Sequence, residues 1–345
     1  MKLRRCIVSA VLIAALSFPC CAFRAEDVTF VNDNAGGLCF TGEFVLPDAG
    51  VQPKALVVLA SGSGSQDRDE NILGHRPFKA IAEALGDNAY AVMRFDDRGI
   101  GGSDRGPDDA TTDDFAGDVS AALDFARKRL AADGYDVPAG VLGHSEGGVI
   151  AYKLANAGVC DFIITMGAPA FSGDSINLDQ LRALLGPAAP ADKSRQQIDA
   201  ARRRYEMVRS AMPSYILEMQ LYADVLNENP AIAGIPELVE RARREVKVMA
   251  SPWFRNFISY NPEADIRAVS VPWLALNGEL DRQVHPRNLV RISELNKKAD
   301  ARLLPGINHL MLDCESGATS EYALLQGDIS PVVIEEILGW LGRLF

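Results

Sequence analysis

The segment "VLGHSEGGVIAYKLA" (141–155) sets Ser145 between Gly143-His144 and Glu146-Gly147, after an apolar run and before a run with helical spacing. In that context the pattern G-x-S-x-G predicts a strand-to-helix turn tight enough to hold a serine hydroxyl clear of the backbone around it. Such a hydroxyl is a candidate nucleophile for a carbonyl carbon. Alone it is a weak one: it needs a neighbouring base to take its proton and a third group to orient that base.

The chain has four histidines. His144 precedes the serine and is expected to point away from it, into the packing beneath the turn. His285, followed by Pro286 at the start of a helix, reads as a cap or surface group, and His75, in a polar loop, as a solvated side chain. His309 lies in "LLPGINHLM", just past a short apolar strand and beside Gly306, and is the candidate base in the chain order nucleophile, acid, base. Asp281 in "LALNGELDRQVHP" follows a strand ending near Gly278 and is the candidate acid, fixing the imidazole tautomer and stabilising the imidazolium. Glu279 and Asp313 are the alternatives. Charge forming on an attacked carbonyl oxygen needs two aimed donors. The backbone N–H of Glu146 is one, and the glycine-rich "SGSGSQDRD" supplies the other, with Ser63 the first choice and Gly64 the next.

These groups need elements to position them. Strands are expected at 28–31, 38–46, 55–60, 90–95, 139–142, 162–167, 272–278 and 301–304. Helices are expected at 77–85, 114–131 (capped by Thr112 or Asp113), 147–155, 287–299 and 331–344. "ALVVLA" (55–60) is the continuous apolar run of a strand covered on both faces. Alternation of strand and helix predicts an α/β fold, a mostly parallel sheet with helices on both faces. Residues 172–262 break the alternation with helical stretches only. The chain therefore divides into a core of residues 23–171 and 263–345 and a helical cap insertion, 172–262, able to lie over the strand ends where open sheets bind ligands.

Residues 1–22 read as an export signal. Lys2, Arg4 and Arg5 precede an apolar run (7–18) too short to span a bilayer, and Cys20-Cys21-Ala22 offers cleavage after Ala22. The expected mature protein is periplasmic or secreted, with no stable membrane anchor. Its net charge falls from −11 to −14 with the three basic residues removed, which disfavours nucleic acid as a partner. Cys39, Cys160 and Cys314 remain, too few and too widely spaced for a metal site or a disulfide framework. Buried free thiols are the expected state, one bridged pair the alternative.

The stretches "SGSGSQDRDE", "MRFDDRGIGGSD", "GHSEGG", "LALNGELDRQV" and "PGINHLM" together resemble the α/β-hydrolase family, over essentially the whole mature sequence. The likeness is greatest to bacterial carboxylesterases with a helical cap between the sixth and seventh strands, a branch that "SPWFRNFISYNP" also resembles; serine aminopeptidases are near relatives. The resemblance implies an α/β-hydrolase fold with an eight-stranded sheet, a triad of Ser145, Asp281 and His309, and no cofactor. Ser61 departs from it, standing where many relatives have histidine, so the bracing of that loop is an open question. Asp97 and Arg98, in a loop common to the family, read as structural.

The leading expectation is hydrolysis of a small-molecule carboxylic ester through an acyl-enzyme. A capped prolyl- or amino-peptidase is the alternative; it needs an acidic clamp for a free amine, for which Glu206, Glu218 and Asp224 are candidates. Against a clamp, residues 172–262 hold 12 Lys and Arg against 11 Asp and Glu. Arg202, Arg203 and Arg204 read as a solvated helix face. A non-catalytic binding protein would show a broken triad, and none of its members is missing. Ile216, Met219, Tyr222, Trp253 and Phe254 either line an acyl pocket or pack as core.

Overall fold

The sheet begins with an antiparallel pair, β1 (Phe23–Asn32) and β2 (Leu38–Pro47), and β2 runs antiparallel to β4 (Ala91–Phe95). From β4 onward every neighbour is parallel: β3 (Leu56–Ala60), β5 (Ala139–His144), β6 (Phe162–Met166), β7 (Trp273–Gly278) and β8 (Ala299–Leu304). The order is β1-β2-β4-β3-β5-β6-β7-β8, giving the expected mostly parallel eight-stranded sheet. The computed structural model describes residues 23–186 and 189–345; the expected export signal lies outside them.

Strands β3 to β7 are buried at every position because helices cover both faces. On one face α2 (Thr112–Ala132), α3 (Glu146–Asn156) and α10 (Arg287–Leu295) close a core around Leu56, Val58, Val141, Ile150 and Trp273. On the other, α1 (Pro77–Asp87) and α11 (Pro331–Leu344) pack over Val57, Leu142, Ile164 and Leu276. Alternate residues of one strand thus serve opposite cores, which is why "ALVVLA" carries no polar residue.

Among the described residues, the regular elements between β6 and β7 are all helical, chiefly α4 (Gly173–Leu185), α5 (Ala191–Arg209), α6 (Ser214–Glu228), α7 (Pro236–Met249), α8 (Pro252–Ser259) and α9 (Glu263–Ala268). Helices α4 to α8 bury a cluster of their own around Tyr205, Val208, Leu217, Leu221, Val246 and Ile258, whereas Ile266 of α9 joins the core of the sheet.

Several expected details are corrected. The helix expected over 287–299 ends at Leu295, because Asn296 ties its amide to the carbonyls of Ile266 and Val269 and β8 starts at Ala299. Helix α2 starts at Thr112; Thr111 is its cap, and its backbone N–H donates to Asp114. His75 is not solvated. It is buried, with its ring nitrogens 2.6 and 2.8 Å from the carbonyl oxygens of Gly327 and Tyr322, because the segment leading into α11 folds back over its loop. Arg203 and Arg204 are not merely solvated: they pair with Glu228 and Asp224 and join α5 to α6. Cys39, Cys160 and Cys314 are unpaired. Among the described residues no helix is long and apolar enough to cross a membrane, and no cluster of three or more His, Cys, Asp or Glu side chains is placed to hold a metal.

Candidate active site

Parallel register brings the candidate groups to one rim. Ala60 of β3 pairs with Gly143 of β5, His144 with Met166 of β6, Met166 with Leu276 of β7, and Gly278 with Leu304 of β8. The loops leaving the C-terminal ends of these strands therefore emerge side by side, where open α/β sheets hold ligands.

Ser145 sits at the β5–α3 turn with φ 54° and ψ −117°. This strained backbone costs on the order of 1–3 kcal/mol and persists only where its surroundings dictate it. Those surroundings are crowded. A Cβ at Gly143 would lie 2.0 Å from the Gly147 carbonyl oxygen, and one at Gly147 would lie 2.0 Å from that of Ala60. Only glycine fits two residues to either side of the serine. The Ser145 N–H donates to the Met166 carbonyl at 2.9 Å, fixing the turn to β6.

Asp281 and His309 meet across two neighbouring loops. His309 Nδ1 donates to Asp281 Oδ2 at 2.8 Å, and both side chains are buried. The Leu280 N–H donates to the Ile307 carbonyl, stitching the acid loop to the base loop. The other Asp281 oxygen accepts the N–H groups of Gln283 and Val284 at 2.9 and 2.8 Å, so the carboxylate cannot rotate away. Of the alternatives, Glu279 is exposed and accepts the Gly306 N–H, and Asp313 is exposed. The His309 ring lies against Gly167, next to the Met166 carbonyl that holds Ser145. No hydrogen bond joins Ser145 Oγ to His309 Nε2 here; that contact is commonly long until a substrate is held.

The candidate oxyanion loop follows β3. A Cβ at Gly62 would lie 3.2 Å from the Ser145 Cβ, so the loop touches the candidate nucleophile. The Gly62 N–H donates to Glu70 Oε1 at 2.7 Å and is therefore engaged. The N–H groups of Ser63 and of Glu146, the first residue of α3, have no acceptor among the described residues. The loop is braced by Ser61, whose hydroxyl donates to Asp97 at 2.9 Å while the Gln66 N–H donates to the same carboxyl. Burial pushes Asp97 up to about 7 despite those donors, with repulsion from Glu70 and Asp118 adding to the shift. Arg98 forms a two-point ion pair with Asp118, which also accepts from Asn32.

Three contributions were not read from the sequence. The Glu146 side chain accepts from Thr112 and Trp253 on one oxygen and from Ser63 Oγ on the other, at 2.6, 2.9 and 2.7 Å. Glu70 reaches Gly62 and His144. His144 is buried beneath the turn as expected, but its ring lies only 4.8 Å from that of His309. Glu70 stood in the quoted "SGSGSQDRDE", yet nothing in its spacing pointed at His144.

A cavity of about 670 Å³ borders Gly62 and Glu146. Its walls mix apolar and charged groups: Phe115 and Ile150 beside Asp97, Arg98 and Asp118 from the core, and Lys247, Val248 and Trp253 from the inserted helices. Of the apolar candidates in those helices, Trp253 lines it. Phe254 belongs to the helices' own cluster, and Met219 is exposed.

A model of the alpha/beta hydrolase family matches residues 57–319. Esterase EstD of Thermotoga maritima is 24% identical over 327 residues, covering 93% of this chain and 68% of that protein. Among solved structures, an esterase of Pyrococcus furiosus superposes with a TM-score of 0.57 at 14% identity, covering 98% of this chain and 95% of that one. A hypothetical protein of Pseudomonas aeruginosa gives 0.55 at 16%, covering 99% and 100%. The family match begins in β3 and runs past the base loop, most of the chain and every loop described above, and the protein belongs to the alpha/beta hydrolase family.

Proposed function

We propose that the protein is a serine hydrolase of carboxylic esters. The observation that carries this reading is the buried Asp281–His309 hydrogen bond set beside a serine on a strained strand-to-helix turn. In the proposed reaction Ser145 Oγ attacks the ester carbonyl as His309 Nε2 takes its proton. The N–H groups of Ser63 and Glu146 receive the oxyanion, and His309 then protonates the departing alcohol oxygen. Water, activated by the same imidazole, attacks the acyl-enzyme; the acid leaves and Ser145 regains its proton. Ser145, His309, Asp281 and the two N–H donors account for each step of this scheme.

The relatives named esterases favour this substrate class. So do the acids considered for an amine clamp. Asp224 is tied to Arg204, Glu206 is exposed, and neither these nor Glu218 line the cavity. The helices of 172–262 act as a cap in this reading, with Trp253 and Val248 against the acyl or alcohol group. Export with cleavage after Ala22 is part of the proposal, and intact-mass measurement of secreted material tests it.

The experiment is a screen of p-nitrophenyl esters of graded acyl length beside aminoacyl anilides, with Ser145→Ala as control. Ester turnover that vanishes in the variant is expected. Anilide turnover exceeding ester turnover, or activity kept by the variant, overturns the reading.

A further inference from the structure

His144 stands directly before the nucleophile, is buried, and points both ring nitrogens at oxygen atoms. Nε2 is 2.9 Å from the His309 carbonyl oxygen and Nδ1 is 2.9 Å from Glu70 Oε1. A carbonyl only accepts, so Nε2 carries a hydrogen. Glu70 Oε1 also receives the Gly62 N–H at 2.7 Å. A second donor aimed at the same oxygen favours its carboxylate form and leaves the other shared proton on the ring.

The arrangement is costly. Glu70 is a non-glycine residue at φ 53°, it is 1% exposed, and its second oxygen has no hydrogen-bond partner among the described residues. Strained backbone and buried charge of this kind concentrate where the surroundings are built around a function. What Glu70 and His144 join is specific: the oxyanion loop at Gly62 and the base loop at His309.

We propose that His144, doubly protonated and locked between Glu70 and the His309 carbonyl, is a positioning residue that holds the oxyanion loop and the base loop in register beneath Ser145. The ring centroids of His144 and His309 lie 4.8 Å apart. Glu70, His309 and Asp281 face His144, and Asp281 and His144 face His309. Burial works against the charge on His144, but Glu70, the His309 carbonyl and Asp281 outweigh it and raise its pKa. The inference rests on the triad reading above.

Nitrogen-15 NMR of the histidine rings tests it on the full chain, in the wild type and in Ser145→Ala. Both His144 nitrogens are expected to be protonated at pH 7 to 8. In Glu70→Gln the ring is expected to turn neutral. Its kcat is expected to fall on the order of 10- to 100-fold, from the misplacement of loops around the reacting atoms, with KM little changed. The loss of kcat with KM little changed, together with the change of ring state, is a pair of readouts that a merely structural role would not produce. A neutral His144 in the wild type, or a Glu70→Gln enzyme with unchanged kcat, overturns the proposal. If Glu70→Gln fails to fold, the wild-type ring state decides alone. Failure of the triad reading is separate: it shows as turnover retained by Ser145→Ala, whatever the state of His144.

Discussion

Trp253 Nε1 donates to Glu146 Oε1 at 2.9 Å, which ties helix α8 to the residue that follows Ser145. The same carboxylate accepts from Thr112 at the start of α2 and from Ser63 in the oxyanion loop. Glu146 therefore does two things: its backbone N–H is a candidate oxyanion donor, and its side chain fixes the loop that carries the other donor to the inserted helices. Any movement of α8 reaches that loop through one side chain.

Trp253→Phe separates these duties. The ring stack on Phe257 survives while the single donor is lost. The expected result is a KM raised several-fold with kcat within about twofold, and stability lowered by about 1.5–3 kcal/mol for one hydrogen bond to a charged group. Glu146→Ala orphans three donors at once, and kcat is expected to fall with it. Steady-state kinetics and urea unfolding of both variants check the split.

Asp281→Asn preserves shape and inverts the tautomer. The amide oxygen can still accept from Gln283 and Val284, which turns the amide nitrogen toward His309 Nδ1. That nitrogen must then accept, so the proton moves to Nε2 and the imidazole can no longer take one from Ser145. A loss of kcat/KM on the order of 10³–10⁴-fold with nearly unchanged melting is expected. Kinetics beside a thermal melt decide it, and loss of activity through unfolding would count against this account.

Asp97 predicts a pH dependence of stability. Its carboxyl, pushed up to about 7 by burial, holds a proton in the fold that the unfolded chain gives up near the ordinary aspartate value. Its contribution is thus fully present below that ordinary value and is lost as pH rises through about 7. Asp97→Asn carries no such titration. The stability of the variant relative to the wild type is expected to improve from pH 5 to pH 8, measured by denaturant unfolding at both; a constant difference would contradict the burial argument.

Much of the fold was legible because the inner strands β3 to β7 are buried on both faces, and several of them appear as unbroken apolar runs. "ALVVLA" and "FIITM" are such runs, bounded by polar or glycine-rich loops. Asp281 and His309 stood out by their place just after such strands. The boundary near Ala299 was missed because Asn296, Lys297 and Lys298 continue a helix-compatible composition, and the stop comes from a long-range bond to the Ile266 carbonyl. Long range is also why the links from Glu70 to His144, Glu146 to Trp253 and His75 to Tyr322 went unread. Each joins residues more than 70 positions apart, and no local periodicity records such a contact.

The most direct test of the central claim is chemical capture of the nucleophile. The enzyme is treated with a fluorophosphonate, digested, and the adduct located by mass spectrometry, with Ser145→Ala and His309→Ala in parallel. One adduct per chain on the peptide carrying Ser145 is expected, absent from the first variant and slowed by orders of magnitude in the second. An adduct on another residue, or equal labelling of wild type and Ser145→Ala, would contradict the account.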